Sequence, residues 1–226
     1  MKRFRLVFGV VAVFAVAIVG YSIATNASSG AVTGPVELEG IDDPARLIEL
    51  AQGVEMGDPG APLTMIEFAD FQCPSCAGFA LQVKPMVNMS YIEDGSVRFV
   101  YYDFPLSQHG NSFLASRSAR CAQDQDLFWE YHDALYRDQP RWAAAANPVS
   151  IFVEHARALG ADADTFRSCV NSDRHAEVVT ANMRLGEQLG VSGTPSIMLS
   201  QGGGMATRIR SYDFETIRET VENALP

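Results

Sequence analysis

Leu63-Thr-Met-Ile-Glu-Phe-Ala-Asp-Phe-Gln-Cys73-Pro-Ser-Cys76-Ala-Gly-Phe79 is the stretch that decides how the chain folds. Leu63 to Ala69 is apolar and β-prone apart from one acid, Glu67. After Cys73-Pro74-Ser75-Cys76, the apolar residues Cys76, Phe79, Ala80 and Val83 recur at helical spacing. A strand therefore delivers two cysteines to the first turn of a helix. A helix N-terminus carries unpaired N–H groups and partial positive charge, which favour thiolate over thiol at Cys73. Pro74 suits the first helical position, where its missing donor costs nothing. The pattern points to sulfur redox chemistry.

Outward from this stretch, the chain alternates element types. Asp43-Pro44 followed by Ala45, Leu47, Ile48 and Ala51 predicts a capped short helix, and Gly57 to Gly60 a turn into the first strand. Pro85 should kink the helix that begins at Cys76. Val97 to Phe104 is a second strand, ended by Pro105. From Gly110 to Gly190 the pattern is helical throughout: Asn111 to Ala122, a helix capped by Asp126, one from Asn147-Pro148 to Gly160, one opened by Asp164, and Arg174 to Leu189 with Val178, Ala181, Leu185 and Leu189 inward. Strands return at Ser196 to Leu199 and Ala206 to Arg210 around a glycine tip, Gly202 to Gly204, and Asp213 caps a last helix through Leu225. The order β–α–β, a helical block, then β–β–α predicts an α/β fold: one sheet with a helical domain inserted in its middle. The expected divisions are 28–52 as linker and short helix, 53–108 with 191–226 as the sheet domain, and 109–190 as the insertion.

The N-terminus carries the second strong signal. Behind Lys2-Arg3-Phe4-Arg5, the 19 residues from Leu6 to Ala24 hold no charge and are almost wholly apolar. That length spans a bilayer, and the preceding basic residues place the N-terminus inside. Residues 1–27 are thus expected to be a membrane anchor, or alternatively a signal cleaved among the small residues Ala24 to Ser28. Either reading exports the domain to a compartment that permits disulfides. Net charge is −10, and without the three basic residues of the N-terminus 14 basic side chains face 27 acidic, a net of −13. An acidic body with no basic stripe argues against nucleic-acid binding.

These residues resemble the thioredoxin fold, and within it the DsbA-like branch of exported thiol–disulfide oxidoreductases. Glu67 lies six positions before Cys73, as an acid does in that family's strand–loop–helix motif; Gly193-Thr194-Pro195 resembles its cis-proline loop; the helical insertion and the export segment stand where the branch carries them. The resemblance covers about residues 53–224 and implies catalytic roles for Cys73, Cys76 and Glu67. Cys73 would be the exposed nucleophile and Cys76 the buried resolving thiol. Glu67, with a raised pKa, would move the proton of Cys76. Pro74, Ser75, Thr194 and Pro195 would form the substrate-binding surface, with the Thr194 backbone pairing with an extended chain. An X–Pro bond is cis in only about 5–6% of cases, so the expectation of a cis Thr194-Pro195 bond rests on the resemblance. The dipeptide between the cysteines departs from the family: it is Pro-Ser here, Pro-His in the strongest oxidases and Gly-Pro in thioredoxin. Ser75 supplies no charge to the Cys73 thiolate.

With Cys73 and Cys76 paired for catalysis, Cys121 and Cys169 are left to each other, 48 positions apart. A structural disulfide there would contribute roughly 4 kcal/mol by loop entropy; two buried free thiols are the alternative. Neither supplies the second ligand pair a zinc site would want. No metal or cofactor is expected, and His109, His132, His155 and His175 read as surface or partly buried residues rather than ligands. The expected function is disulfide formation in exported polypeptides with free cysteines. The resemblance implies recharging by a membrane quinone-linked oxidase of the DsbB or vitamin K epoxide reductase-like type. A reductase or isomerase in the same compartment, or a tethered binding module whose disulfide is only structural, are the alternatives.

Overall fold

The computed structural model describes residues 31–226. The expected anchor or signal, residues 1–27, lies outside them. Among the described residues no helix is long and apolar enough to cross a membrane.

Five strands form one sheet: β1 (Val54–Met56), β2 (Leu63–Ala69), β3 (Val97–Asp103), β4 (Ser196–Gln201) and β5 (Thr207–Arg208), in the order β1-β3-β2-β4-β5. β2 and β3 run parallel, and the remaining pairs are antiparallel. The central strand β2 turns Leu63, Met65, Glu67 and Ala69 to one face, and Ile66 and Phe68 to the other. Both faces are covered, so β2 reads as an apolar run rather than an alternation. Three-residue β1 is the one strand not foreseen, because it is too short to show a period.

The helix after β2 runs in four segments, Pro74–Gly78, Phe79–Val83, Lys84–Val87 and Asn88–Ile92, the second and fourth being π-turns; together they are α2, after α1 (Pro44–Leu50). Pro85 has no N–H to give, and the expected kink takes the form of widened turns on either side of it. Each π-turn inserts a residue and rotates the helix face. Cys76, Phe79 and Ala80 are buried as expected, but the next buried position is Lys84 in place of Val83.

Between β3 and β4 come α3 (Ser112–Gln123), α4 (Phe128–Arg137), α5 (Gln139–Ala143), α6 (Val149–Ala158), α7 (Ala163–Val170) and α8 (Ala176–Gln188); α9 (Phe214–Ala224) closes the fold. Several details differ from expectation. Asp126 adopts φ +60° and does not cap α4, whose N-cap is Leu127. Asp162, two residues before the expected Asp164, caps α7 by accepting from the Thr165 N–H. The inward face of α8 is Val179, Thr180, Asn182 and Gly186 together with Ala181, while Leu189 is exposed. The left-handed His175 (φ +64°) delays the helix start to Ala176. α8 lies so close to the sheet that a Cβ at Gly186 would meet Phe104 at 2.6 Å and Phe68 at 3.0 Å.

The largest core cluster joins β2, β3, α2 and the helices α3 to α7. The stretch expected to be linker is held down from residue 31 onward. Arg117, fully buried in α3, donates to the Val32 carbonyl (2.8 Å), and the Val36 N–H donates to Thr180 Oγ1 (3.1 Å). Val32 and Val36 pack on Phe113, Ala176 and Val179, and Leu38 and Ile41 on Leu47 and Ala181.

Candidate active site

Asp70, the residue after β2, builds the turn that carries the cysteines. Its buried carboxylate accepts from the backbone N–H of Gln72 (2.7 Å) and of Leu106 (2.8 Å), lies 2.7 Å from His109 Nδ1, and accepts from Ser112 Oγ. Its carbonyl receives the Cys73 N–H at 3.0 Å. From the inserted helices, Gln139 Nε2 donates to the carbonyls of Phe71 (2.6 Å) and Cys73 (2.9 Å). Both ends of the loop are therefore fixed before the helix begins at Pro74, with Cys73 as its N-cap.

The Thr194-Pro195 bond is cis, as expected. Cys73 Sγ lies 3.4 Å from the Thr194 carbonyl oxygen. The sequence reading put Cys73 in the open; with this loop against it, only 7% of the residue is exposed. Pro74 is exposed and Ser75 half-buried, beside it at the rim.

The two sulfurs are driven apart electrostatically. A hydrogen bond from the Cys76 thiol, outweighing the opposing effect of burial, holds the Cys73 pKa down to about 5, helped by the Thr194 side chain and by the N–H groups of Cys76 and Ser75. Those N–H groups are the unpaired donors of the helix start. Cys76 is fully buried, and desolvation pushes its thiol well above the ordinary value, with the Cys73 hydrogen bond and the Glu67 charge adding to it. One sulfur is a thiolate at neutral pH and its neighbour is a thiol.

Glu67 and the hydroxyls of Tyr101 and Tyr136 are buried around Cys76. Glu67 has no exposed surface and neither carboxylate oxygen has a partner. It stands beside Tyr101 on β3 and Ile197 on β4. Burial raises its pKa to about 8, with Lys84 pulling the other way. Burial first, then the charges around them, Glu67 and Cys76 included, raise the hydroxyls of Tyr101 and Tyr136. Glu67, the two tyrosines and Cys76 thus share one low-dielectric space.

Cys121 and Cys169 are joined by a disulfide between α3 and α7. His175 presents a nitrogen within 4.8 Å of both sulfurs, but these are bonded to each other. The histidines do not converge: His109 pairs with Asp70, His155 with Asp138 and His175 with Asp124. His132 is buried outright, against the expectation of a surface or partly buried position, packed among Phe71, Tyr101, Phe128 and Tyr136. Sequence reasoning missed Asp70, Lys84, Tyr101 and Gln139. Asp70 sits inside the quoted motif and could have been weighed as a turn-forming Asx residue; Gln139 carries no local signal.

Comparison with known proteins agrees with this geometry. The thioredoxin family model matches residues 50–222. Disulfide bond formation protein D of Bacillus subtilis is 26% identical over 173 residues, which cover 75% of this chain and 76% of that protein. The crystal structure of oxidised BdbD from Bacillus subtilis superposes with a TM-score of 0.68 at 24% identity, covering 86% of this chain and 98% of that one. Wolbachia pipientis α-DsbA1 gives a TM-score of 0.68 at 20% identity, covering 79% and 94%. The chain belongs to the thioredoxin family and falls with its DsbA-like thiol–disulfide oxidoreductases.

Proposed function

We propose that the protein is an extracytoplasmic dithiol–disulfide oxidase that introduces disulfides into exported polypeptides through Cys73-Pro74-Ser75-Cys76. The carrying observation is the opposed titration of the two sulfurs, about 5 at Cys73 and well above the ordinary thiol value at Cys76. Stabilising the Cys73 thiolate stabilises the reduced pair and makes the disulfide the better oxidant.

A client thiolate attacks Cys73 of the oxidised pair. The Cys73–Cys76 bond breaks and Cys76 leaves with the electron pair, taking a proton from Glu67. A second client thiolate attacks the client sulfur of the mixed disulfide, forming the client's disulfide and releasing Cys73 as thiolate. Two electrons have passed from client to enzyme. The Thr194 backbone, beside Cys73, is the pairing edge for an extended client chain. Pro195, Pro74 and Ser75 complete the contact surface. Reoxidation falls to a membrane quinone-linked oxidase of the DsbB or vitamin K epoxide reductase-like type, and residues 1–27 would hold the domain near it as an anchor.

Cys76→Ser tests the reading. The variant should accumulate mixed disulfides through Cys73 when expressed with an export signal, and these should disappear in the Cys73→Ser/Cys76→Ser double variant. A variant that traps nothing overturns the oxidoreductase in favour of a binding module. A glutathione equilibrium near about −270 mV, the thioredoxin value, overturns the oxidase in favour of a reductase.

A further inference from the structure

Away from the catalytic pair, the inserted helices bring together a second group of sulfur, nitrogen and oxygen atoms that the reaction does not use. Cys121 sits in the last turn of α3, Asp124 caps that helix, Cys169 sits in the last turn of α7, and His175 stands just before α8. The two sulfurs and a His175 ring nitrogen lie within 4.8 Å of one another. Asp124 Oδ2 is 2.8 Å from His175 Nε2 and 3.8 Å from Cys169 Sγ. His175 holds a left-handed backbone (φ +64°), which residues with a side chain adopt only rarely. The sequence offers Cys121 and Cys169 no second ligand pair at zinc spacing; the fold supplies one in Asp124 and His175.

Two thiolates, an imidazole and a carboxylate are a donor set that suits tetrahedral zinc. With bonds of about 2.0–2.3 Å, the ligand atoms of such an ion stand about 3.3–3.8 Å apart. The distances here bracket that range, so reducing the disulfide and parting its sulfurs by about 2 Å would seat the ion. The four residues also gather at the C-terminal ends of α3 and α7, whose partial negative charge favours a cation. An open cleft of about 490 Å³, lined in part by Asp164, Ser172 and Arg174, leads to Cys169. Arg174 Nε lies 3.1 Å from Asp124, but 58% of the arginine side chain is in solvent and it is free to leave. Arg120, the other cation near His175, is committed to Asp103. We propose that, once its disulfide is reduced, the Cys121–Cys169 pair forms a zinc site with His175 and Asp124, so that these two cysteines have alternative closures, one by metal and one by disulfide.

A dithiol reductant enters at Cys169, which lines the cleft, and attacks its sulfur. Cys121 leaves with the electron pair of the broken bond, and the second thiolate of the reductant closes its own disulfide and frees Cys169. Two electrons have passed to the pair, and Zn²⁺ then displaces the two thiol protons. A low-molecular-weight disulfide reverses the sequence: it takes the two electrons, the Cys121–Cys169 bond re-forms and the ion leaves. The site uses neither Cys73 nor Cys76 and does not rest on the function proposed above. Its consequence for the chain is correct pairing. Four free cysteines allow three connectivities, and two of these join the catalytic pair to Cys121 and Cys169. Metal held by the inserted pair keeps those thiolates out of exchange until they join each other.

The test uses the full chain carrying Cys73→Ser and Cys76→Ser, which removes the other thiols. It is reduced with a phosphine that is then removed, and titrated with zinc against a chromophoric chelator. The reduced chain should bind one zinc ion and the oxidised chain none. Cobalt(II) in place of zinc should give thiolate charge-transfer absorption and the visible bands of a tetrahedral site. His175→Asn, a residue that also accepts the left-handed backbone, and Asp124→Asn should each weaken zinc binding by about tenfold or more. Zinc should also slow re-formation of the Cys121–Cys169 disulfide by oxidised glutathione, and a chelator should restore the rate. A reduced chain that takes no zinc overturns the proposal. So does a zinc affinity that either substitution leaves unchanged, the result expected of two thiols binding alone or in an unfolded chain. Failure of the Cys76→Ser trap concerns Cys73 and would leave this result standing separately.

Discussion

Removing the Cys76 thiol should raise the pKa of Cys73 by one to two pH units. Cys73 sits at about 5 against an ordinary 9.0, and the first contribution to that drop is the hydrogen bond from Cys76. A hydrogen bond to a charged acceptor is worth about 1.5–3 kcal/mol, and one pH unit is about 1.36 kcal/mol. Cys76→Ala should therefore move the Cys73 midpoint to between about 6 and 7, while Thr194 and the helix-start N–H groups keep it below a free thiol. The shift also fixes the driving force of the parent protein. Because the folded pKa is depressed, the stabilisation of the reduced form is complete above pH 9.0 and is lost as pH falls through about 5. At neutral pH about two of the four units count, roughly 2.7 kcal/mol or on the order of 60 mV for the two-electron couple. The assay is thiolate absorbance, or alkylation rate, against pH on the reduced proteins; Cys76, raised far above neutrality, is silent in this range. A parent midpoint at the ordinary thiol value, or a Cys76→Ala protein still titrating at about 5, would refute the reasoning.

Other outcomes follow from groups described above. Glu67→Gln should be more stable than the parent at neutral pH by roughly 3 kcal/mol, because a carboxyl raised to about 8 must stay protonated while the unfolded chain ionises near 4.5; urea unfolding should show the gap closing as pH falls toward 4.5. Replacing Cys121 and Cys169 together by serine should cost about 4 kcal/mol, from the 48-position loop they close, read by denaturant midpoint. Arg120→Met should cost about 3–5 kcal/mol, because the buried Asp103 carboxylate takes hydrogen bonds from Arg120 Nε (2.8 Å) and Nη2 (2.6 Å) and would keep only Asn182 (2.9 Å). A loss under about 1 kcal/mol would overturn this account of the Arg120–Asp103 pair.

Much of the site is legible from residues 63–79 because strand, turn, proline and helix start are local and contiguous there. Elements decided by distant contacts are less so. The π-turns at Phe79–Val83 and Asn88–Ile92 shift the phase of α2, so a strict 3.6-residue period marks Val83 as inward and leaves Lys84 on the surface. The face of α8 is misplaced for a related reason: its start is set by the left-handed backbone at His175, which no side-chain pattern announces. Residues 31–40 look like a linker by composition, yet their backbone is fixed by Arg117 and Thr180, more than 80 positions away. Gln139 grips the carbonyls of Phe71 and Cys73 across 68 and 66 positions, an interaction made visible only by the fold.

The sheet ends in β1, three residues long, and β5, two residues long. A protein that meets unfolded chains risks having its own sheet extended by them, since an open strand edge is a template for aggregation. With edges this short, little backbone is free to recruit a stray strand, and on the function proposed above an extended polypeptide would find its pairing partner at Thr194, beside the sulfur. On that proposal, brevity at the margins would keep client chains in transit rather than in fibrils.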